Sequence, residues 1–246
     1  MSIVIPNNYA PKCAELAEAE NSHGVFYGGC NFKCAFCGMA NRGDKGEDVS
    51  EKLIELSKNG LNFKFTGGEP TLDRRLPDHL RLVRSLGGRI FLDTNGSNPE
   101  ALGKLLDENL VDVLGISIKG VMPEEAERIS GRPRRLSWEN VMESIRLGLS
   151  SNARTIVTLI VYGDSDAEKR LEEFYGLFRD SERVYYKINS LFKTRKALAS
   201  GLTKMDEEKL WEEIQKWADR HEDIRGRVIF VPNERAVHEF SEIRFC

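Results

Sequence analysis

The chain has 246 residues, with 36 Lys and Arg against 39 Asp and Glu and a formal charge of −3. This balance, with a pI near 5.9, gives no general electrostatic case for nucleic acid or for an anionic membrane surface as partner. No stretch is apolar for long enough to cross a bilayer, residues 1–9 lack a signal peptide's basic-then-apolar pattern, and five cysteines, three of them bunched, are not the paired framework of a secreted disulfide protein, so a reducing cytoplasm is expected.

In chain order, apolar, β-branched and aromatic runs predict strands over 23–27, 62–66, 89–94, 113–119, 155–162 and 184–189, with a further apolar run at 227–231 as an extra strand or packing segment. Helical periodicity fills the gaps at 49–58, 76–86, 99–108, 138–149, 167–179 and 206–221, with Asn98 and Asp206 among the expected N-caps. Pro123, Pro133 and the arginines Arg128, Arg132, Arg134 and Arg135 mark 119–137 as a long loop; the arginines are either a grip for an acidic group or a solvated surface. Six strand–helix alternations imply parallel strands with right-handed crossovers. The expected fold class is α/β, a partial (β/α)6 TIM-like barrel in a single domain, with an N-terminal extension at 1–22, a core over 23–221 and a C-terminal segment at 222–246.

Polar or glycine-rich segments follow successive strands, where parallel α/β architectures collect their chemistry. After the first strand comes Gly-Gly-Cys-Asn-Phe-Lys-Cys-Ala-Phe-Cys, carrying Cys30, Cys34 and Cys37 in a C-x3-C-x2-C spacing. Three thiolates so spaced suit one iron–sulfur cubane, whose fourth iron is left with open coordination sites for a small molecule. A zinc knuckle is the alternative, but zinc wants a fourth ligand at suitable spacing and none is evident. Cys13 and Cys246 are too few for a second cubane.

After the second strand stands Thr66-Gly67-Gly68-Glu69-Pro70. With both motifs in this order, and Phe36 just before the third cysteine, the chain resembles the radical S-adenosylmethionine (SAM) enzymes from residue 23 to about 189. The resemblance implies that Cys30, Cys34 and Cys37 bind three irons of a [4Fe–4S] cluster, while the methionyl amine and carboxylate of SAM chelate the fourth. It implies reductive cleavage of SAM to a 5′-deoxyadenosyl radical that abstracts hydrogen from a substrate, with a reductant such as flavodoxin or ferredoxin. The cofactor carries the hard chemistry and the protein positions it.

Gly67 and Gly68 at a strand end let a backbone approach a ligand closely and expose carbonyls to its ammonium group, and Glu69 adds a nearby negative charge. Asp93 and Asn95, ending the third strand, are candidates for the nucleoside hydroxyls or a cation, or else for a turn. Lys119 is a candidate partner for the methionyl carboxylate, or a solvated lysine, with Ser117 on the same side of its strand. Asn189, with Lys187 on its face, is a candidate for the adenine or substrate side. Cys246 is a candidate hydrogen donor to a substrate radical, against the usual disorder of a terminal residue.

Within the superfamily, residues 91–119 look most like the activating enzymes of glycyl radical proteins, pyruvate formate-lyase activating enzyme among them. That resemblance implies a protein substrate. Two positions depart from it: Ser117 stands where those enzymes carry an aspartate of a monovalent-cation site, and no histidine follows the sixth strand. A peptide or small-molecule epimerase, mutase or related hydrogen-abstracting enzyme is the alternative, and a non-enzymatic metal-binding or electron-transfer protein the alternative of another class.

Overall fold

The structure is a computed structural model and describes residues 3–7, 22–37, 48–58, 62–163, 166–191, 194–231 and 244–245. The chain divides into two compact units. The first holds residues 1–32, 39–117 and 139–155, and the second holds 33–38, 118–138 and 156–246.

In the first unit the sheet order is β1 (Ile3–Asn7), β2 (Ser22–Tyr27), β3 (Asn62–Gly67), β4 (Arg89–Thr94) and β5 (Val113–Ser117). Strand β1 pairs antiparallel with β2, and β2 to β5 run parallel. Strands β3 and β4 alternate buried and half-buried side chains, so one face, with Phe63, Phe65, Ile90 and Leu92, packs into the core. The opposite face carries Lys64, Thr66, Phe91 and Asp93. Helices α1 (Ser50–Ser57), α2 (Leu76–Ser85), α3 (Pro99–Asp107) and α5 (Asn140–Ser150) belong to this unit. Helix α2 buries Leu76, His79, Leu80 and Val83, a stripe spaced i, i+3, i+4, i+7. Asn98 caps α3 through the Ala101 N–H, as its sequence predicts.

The second unit holds α4 (Pro123–Ser130), most of β6 (Arg154–Val161), α6 (Ala167–Phe178), β7 (Val184–Ser190), α7 (Arg195–Ala199), α8 (Glu207–Arg220), β8 (Val228–Val231) and β9 (Arg244–Phe245). Strand β8 pairs parallel with β7 and antiparallel with β9. Asp206 caps α8 through the Lys209 N–H, and Leu210, Ile214 and Trp217 form its buried stripe. Among the described residues no helix is long and apolar enough to cross a membrane.

The six expected strands and six expected helices form with small shifts at their ends. The expected long loop at 119–137 is corrected: α4 fills its middle and a π-helical turn spans Arg135–Glu139. Pro123 starts this helix, where its missing N–H costs nothing, and Gly131 ends it in a left-handed conformation at φ 62°. The prolines thus flank a helix that the sequence expectation left out. Strand β1 and helix α7 are also additions to the expected elements.

Candidate radical site at the strand ends

The cysteine loop is shared between the units: Cys30 belongs to the first, Cys34 and Cys37 to the second. In the first unit the glycine segment after β3 is tied to the residues that lead into Cys30. The Gly68 N–H donates to the Tyr27 carbonyl at 2.8 Å, and the Glu69 N–H to the Gly29 carbonyl at 2.9 Å. A Cβ on Gly68 would lie 1.7 Å from the Gly29 oxygen. The lack of a side chain at Gly68 therefore lets two backbones meet, a reason for glycine that the sequence expectation, framed on a ligand, did not contain.

Glu69 is 1% exposed and its carboxylate is a brace. Oε1 accepts from the Thr71 N–H at 3.1 Å and from the Thr71 and Thr94 hydroxyls, both at 2.6 Å, and Oε2 accepts from the Asn95 N–H at 2.6 Å. The ends of β3 and β4 are joined through this one side chain. Burial pushes the Glu69 carboxyl above its ordinary value, against the pull of these hydrogen bonds. Glu69→Gln faces a backbone N–H with an amide NH2 in either orientation of the side chain. It is expected to destabilise the cluster-free protein by about 1–3 kcal/mol, the cost of a buried donor left without a partner, measurable by urea unfolding.

Asn95, which Glu69 orients, is 7% exposed. Its Nδ2 lies 2.9 Å from Asn31 Oδ1 and 3.6 Å from Cys30 Sγ, and its Oδ1 accepts from the Ser97 N–H at 2.9 Å. The Phe32 N–H also donates to Cys30 Sγ, at 3.4 Å. Asp93 pairs with Lys64 at 2.7 Å and accepts from the Thr66 hydroxyl at 3.4 Å, while Lys64 lies over the Phe91 ring at 4.7 Å. Gly115 makes room for this carboxylate, since a Cβ there would fall 2.3 Å from Asp93 Oδ1. Ser117 ends β5, half-buried.

In the second unit the rest of the cysteine loop is held mainly by its backbone. The Lys33 and Ala35 N–H groups donate to the Ser130 and Ile129 carbonyls at 2.8 and 2.9 Å, the C-terminal end of α4. The Thr194 hydroxyl donates to the Phe36 carbonyl at 2.9 Å, and Lys196 to the Lys33 carbonyl at 3.0 Å. Phe36 packs against Ile129, Tyr162, Leu191, Ala197 and Leu202. Lys119, two residues past β5, places Nζ 5.9 Å from the centre of the Phe36 ring, at the outer reach of a cation–π contact.

The backbone after Lys119 is fixed by Glu125, which accepts from the Val121 N–H at 2.9 Å and pairs with Arg170 and the Tyr162 hydroxyl. Burial works to raise the Glu125 carboxyl, but Arg170 and these hydrogen bonds together hold it below its ordinary value. Arg128 donates to the Tyr162 hydroxyl and Arg134 lies 3.7 Å from Glu124, so both have partners within their own unit. Asn189 and Lys187 share the half-buried face of β7, and Asn189 Oδ1 is buried with no hydrogen-bond partner among the described residues. Cys13 and Cys246 lie outside the described residues.

Sequence reasoning missed Lys64, Thr71 and the Glu125–Arg170–Tyr162 group. Arg170 carried a signal: it stands on the stripe of α6 otherwise made of Ala167, Leu171, Phe174 and Phe178, and a charge on a core-facing stripe needs a buried partner.

The cysteines fit a cubane by donor chemistry. Among the described residues no three His, Cys, Asp or Glu side chains converge as ligands of a single ion. A cubane asks for something else, one thiolate for each of three irons, and sulfur ligands that receive N–H hydrogen bonds. Cys30 receives two.

Parallel strands whose ends carry a three-cysteine loop and a glycine-rich loop locked to its start define the class, a cofactor-binding α/β protein. A model of the Radical SAM superfamily matches residues 25–178, and the chain belongs to that superfamily. Membership of that superfamily implies a [4Fe–4S] cluster and SAM.

A probable GTP 3′,8-cyclase of Sulfolobus acidocaldarius is 31% identical over 50% of this chain and 50% of that protein, so the chain spans about half the length of this curated relative. Among solved structures, a radical SAM methyltransferase from Sphaerobacter thermophilus aligns at TM-score 0.68 and 16% identity, covering 91% of this chain and 70% of that one. Streptococcus suis SuiB bound to the precursor peptide SuiA aligns at 0.65 and 15%, covering 86% and 48%. These likenesses bear out the expected α/β class of partial-barrel type.

Proposed function

We propose that Cys30, Cys34 and Cys37 hold the cluster, that Gly67, Lys119, Ser117 and Asn189 contact SAM, and that the substrate is a small polar anion of nucleotide type. When bound, cluster and SAM would supply reductive sulfonium cleavage and hydrogen-atom abstraction from the substrate; flavodoxin or ferredoxin is the class of reductant expected to supply the electron.

The protein's own part is positioning. Glu69 holds the two loops of the first unit in one register, and the Glu125 group holds the backbone beside Lys119. Lys119 supplies a fixed positive charge for the methionyl carboxylate. Replacing it by alanine removes one charge-assisted contact, worth about 1.5–3 kcal/mol, and is expected to weaken SAM binding by roughly 10–150-fold, read from the SAM-induced change in the EPR spectrum of the reduced cluster.

The observation that carries the substrate class is the Lys64–Asp93 pair beside Phe91, at 2.7 Å on the non-core face of the first unit's sheet. A cation, a carboxylate and an aromatic ring suit the phosphate, polar edge and face of a nucleotide. The name of the curated relative, a probable GTP 3′,8-cyclase, supports the same class. The test is anaerobic reconstitution, reduction by dithionite, and 5′-deoxyadenosine measured with GTP, with other nucleotides and with peptides. Stimulation by nucleotides is expected; stimulation by peptides alone would sink the substrate class.

A glycyl radical protein is the second reading, favoured by the likeness of residues 91–119 to activating enzymes. Ser117 in place of their aspartate weighs against it. Cys246 as hydrogen donor belongs to a third, an epimerase-type reaction.

A further inference from the structure

The geometry points to Asn95 as a positioning residue that donates a hydrogen bond to the Cys30 sulfur and thereby makes the cluster easier to reduce. Its sequence position suggested contact with the nucleoside or a turn; in the fold its Oδ1 closes a turn on the Ser97 N–H and its Nδ2 is turned to Cys30. The inference rests on the reading of Cys30 as a cluster ligand.

The orientation of the amide follows from its neighbours. Asn95 Oδ1 accepts from the Ser97 N–H at 2.9 Å, a backbone donor that cannot be reversed, so the NH2 group must face the other way. There it meets an acceptor at each side, Asn31 Oδ1 at 2.9 Å and Cys30 Sγ at 3.6 Å. Asn31 is oriented in turn, because its Oδ1 accepts from the Asn95 NH2, which leaves its Nδ2 to donate to Ser97 Oγ at 2.8 Å. The backbone of Asn95 is pinned by Glu69 at 2.6 Å. Flipping the amide would break the Ser97 contact and set a carbonyl oxygen against both acceptors.

The consequence is electrostatic. An added electron increases the negative charge on the cluster and its thiolate sulfurs, and a donor aimed at one of them stabilises the reduced form more than the oxidised one. The backbone N–H of Phe32 does this from within the loop. Asn95 does it from β4's end, and it is the member of the pair that a substitution can remove.

The test is the midpoint potential of the reconstituted cluster in the unaltered protein, in Asn95→Ala and in Asn95→Asp, by EPR-monitored redox titration at matched iron content. Reduction is expected to become about tenfold less favourable in Asn95→Ala, a shift of about 59 mV to more negative potential for a one-electron couple. Asn95→Asp keeps the acceptor for Ser97 and replaces the donor by a negative charge, so it is expected to shift further in the same direction. A purely structural role would change cluster content or melting while leaving the potential of assembled clusters in place, and equal potentials in all three proteins overturn the inference.

Should neither variant hold a full cluster, pulsed EPR of the unaltered protein labelled with 15N-asparagine carries the test. A side-chain nitrogen coupling to the reduced cluster is expected, and its absence overturns the inference. A Cys30→Ala protein that retains a full, reducible cluster would instead overturn the reading of Cys30 as a ligand, and the inference with it.

Discussion

Cys34→Ala is expected to lose the cluster and, with it, the formation of 5′-deoxyadenosine from SAM. In the proposed cluster each thiolate would take its own iron, so no neighbouring cysteine could serve two. Removing a group that merely orients a metal ligand typically costs 10–100-fold in affinity or activity, so removing a ligand is expected to cost roughly 100-fold or more. Cys34 is buried, and the change from thiol to methyl is small. Its loop is held by backbone hydrogen bonds from Lys33 and Ala35 that the substitution leaves alone. Far-UV circular dichroism and the urea midpoint of the cluster-free protein are therefore expected to stay near those of the parent, while iron, sulfide and the brown absorbance are lost. Cys30→Ala and Cys37→Ala are expected to behave alike. Full deoxyadenosine formation by any one of the three would refute the assignment of the loop.

Gly68→Ala is expected to damage the fold itself. Its added carbon would fall 1.7 Å from the Gly29 oxygen and 2.6 Å from the Gly29 carbonyl carbon, and both are backbone atoms that cannot rotate aside. The two strands' exits must separate, which breaks the Gly68–Tyr27 and Glu69–Gly29 hydrogen bonds. Overpacking costs about 1–3 kcal/mol, and each buried backbone group left without a partner about 1–3 kcal/mol more. Against a whole-domain stability of about 5–15 kcal/mol, urea unfolding of the cluster-free variant is expected to show the loss of a large fraction, or no folded baseline.

Gly176→Ala provides the contrast. Gly176 lies within α6 with nothing within 4 Å of an added Cβ, so alanine there is expected to stabilise by about 0.5–1 kcal/mol. A Gly68→Ala protein as stable as its parent would mean that the two backbones do not approach as described.

The position of the candidate site was legible from the sequence because its elements are local. Cysteine spacing, the glycine pair and the alternation of strand and helix are written over short stretches, and each lies where a strand ends. The role of Glu69 was not legible. A glutamate beside two glycines suggests a charge offered to a ligand, whereas its carboxylate binds Thr71, Thr94 and Asn95, the last two at the end of another strand. The helix α4 was hidden for a different reason: Pro123 and Pro133 signal a break when seen one by one, and only the helix start of one and the chain turn before the other show what they bound.

By itself the sequence determined the strand and helix order, the three-cysteine motif and the superfamily it marks, because those depend on residue type and on spacing along the chain. Tertiary structure alone decided which residues meet across strands. Asn95 against Cys30, Glu69 under both loops, Lys64 beside Asp93 and Glu125 against Arg170 join residues from 25 to 65 positions apart. No local pattern encodes such pairs, because the register of neighbouring strands and the packing of helices set which side chains come within hydrogen-bond reach.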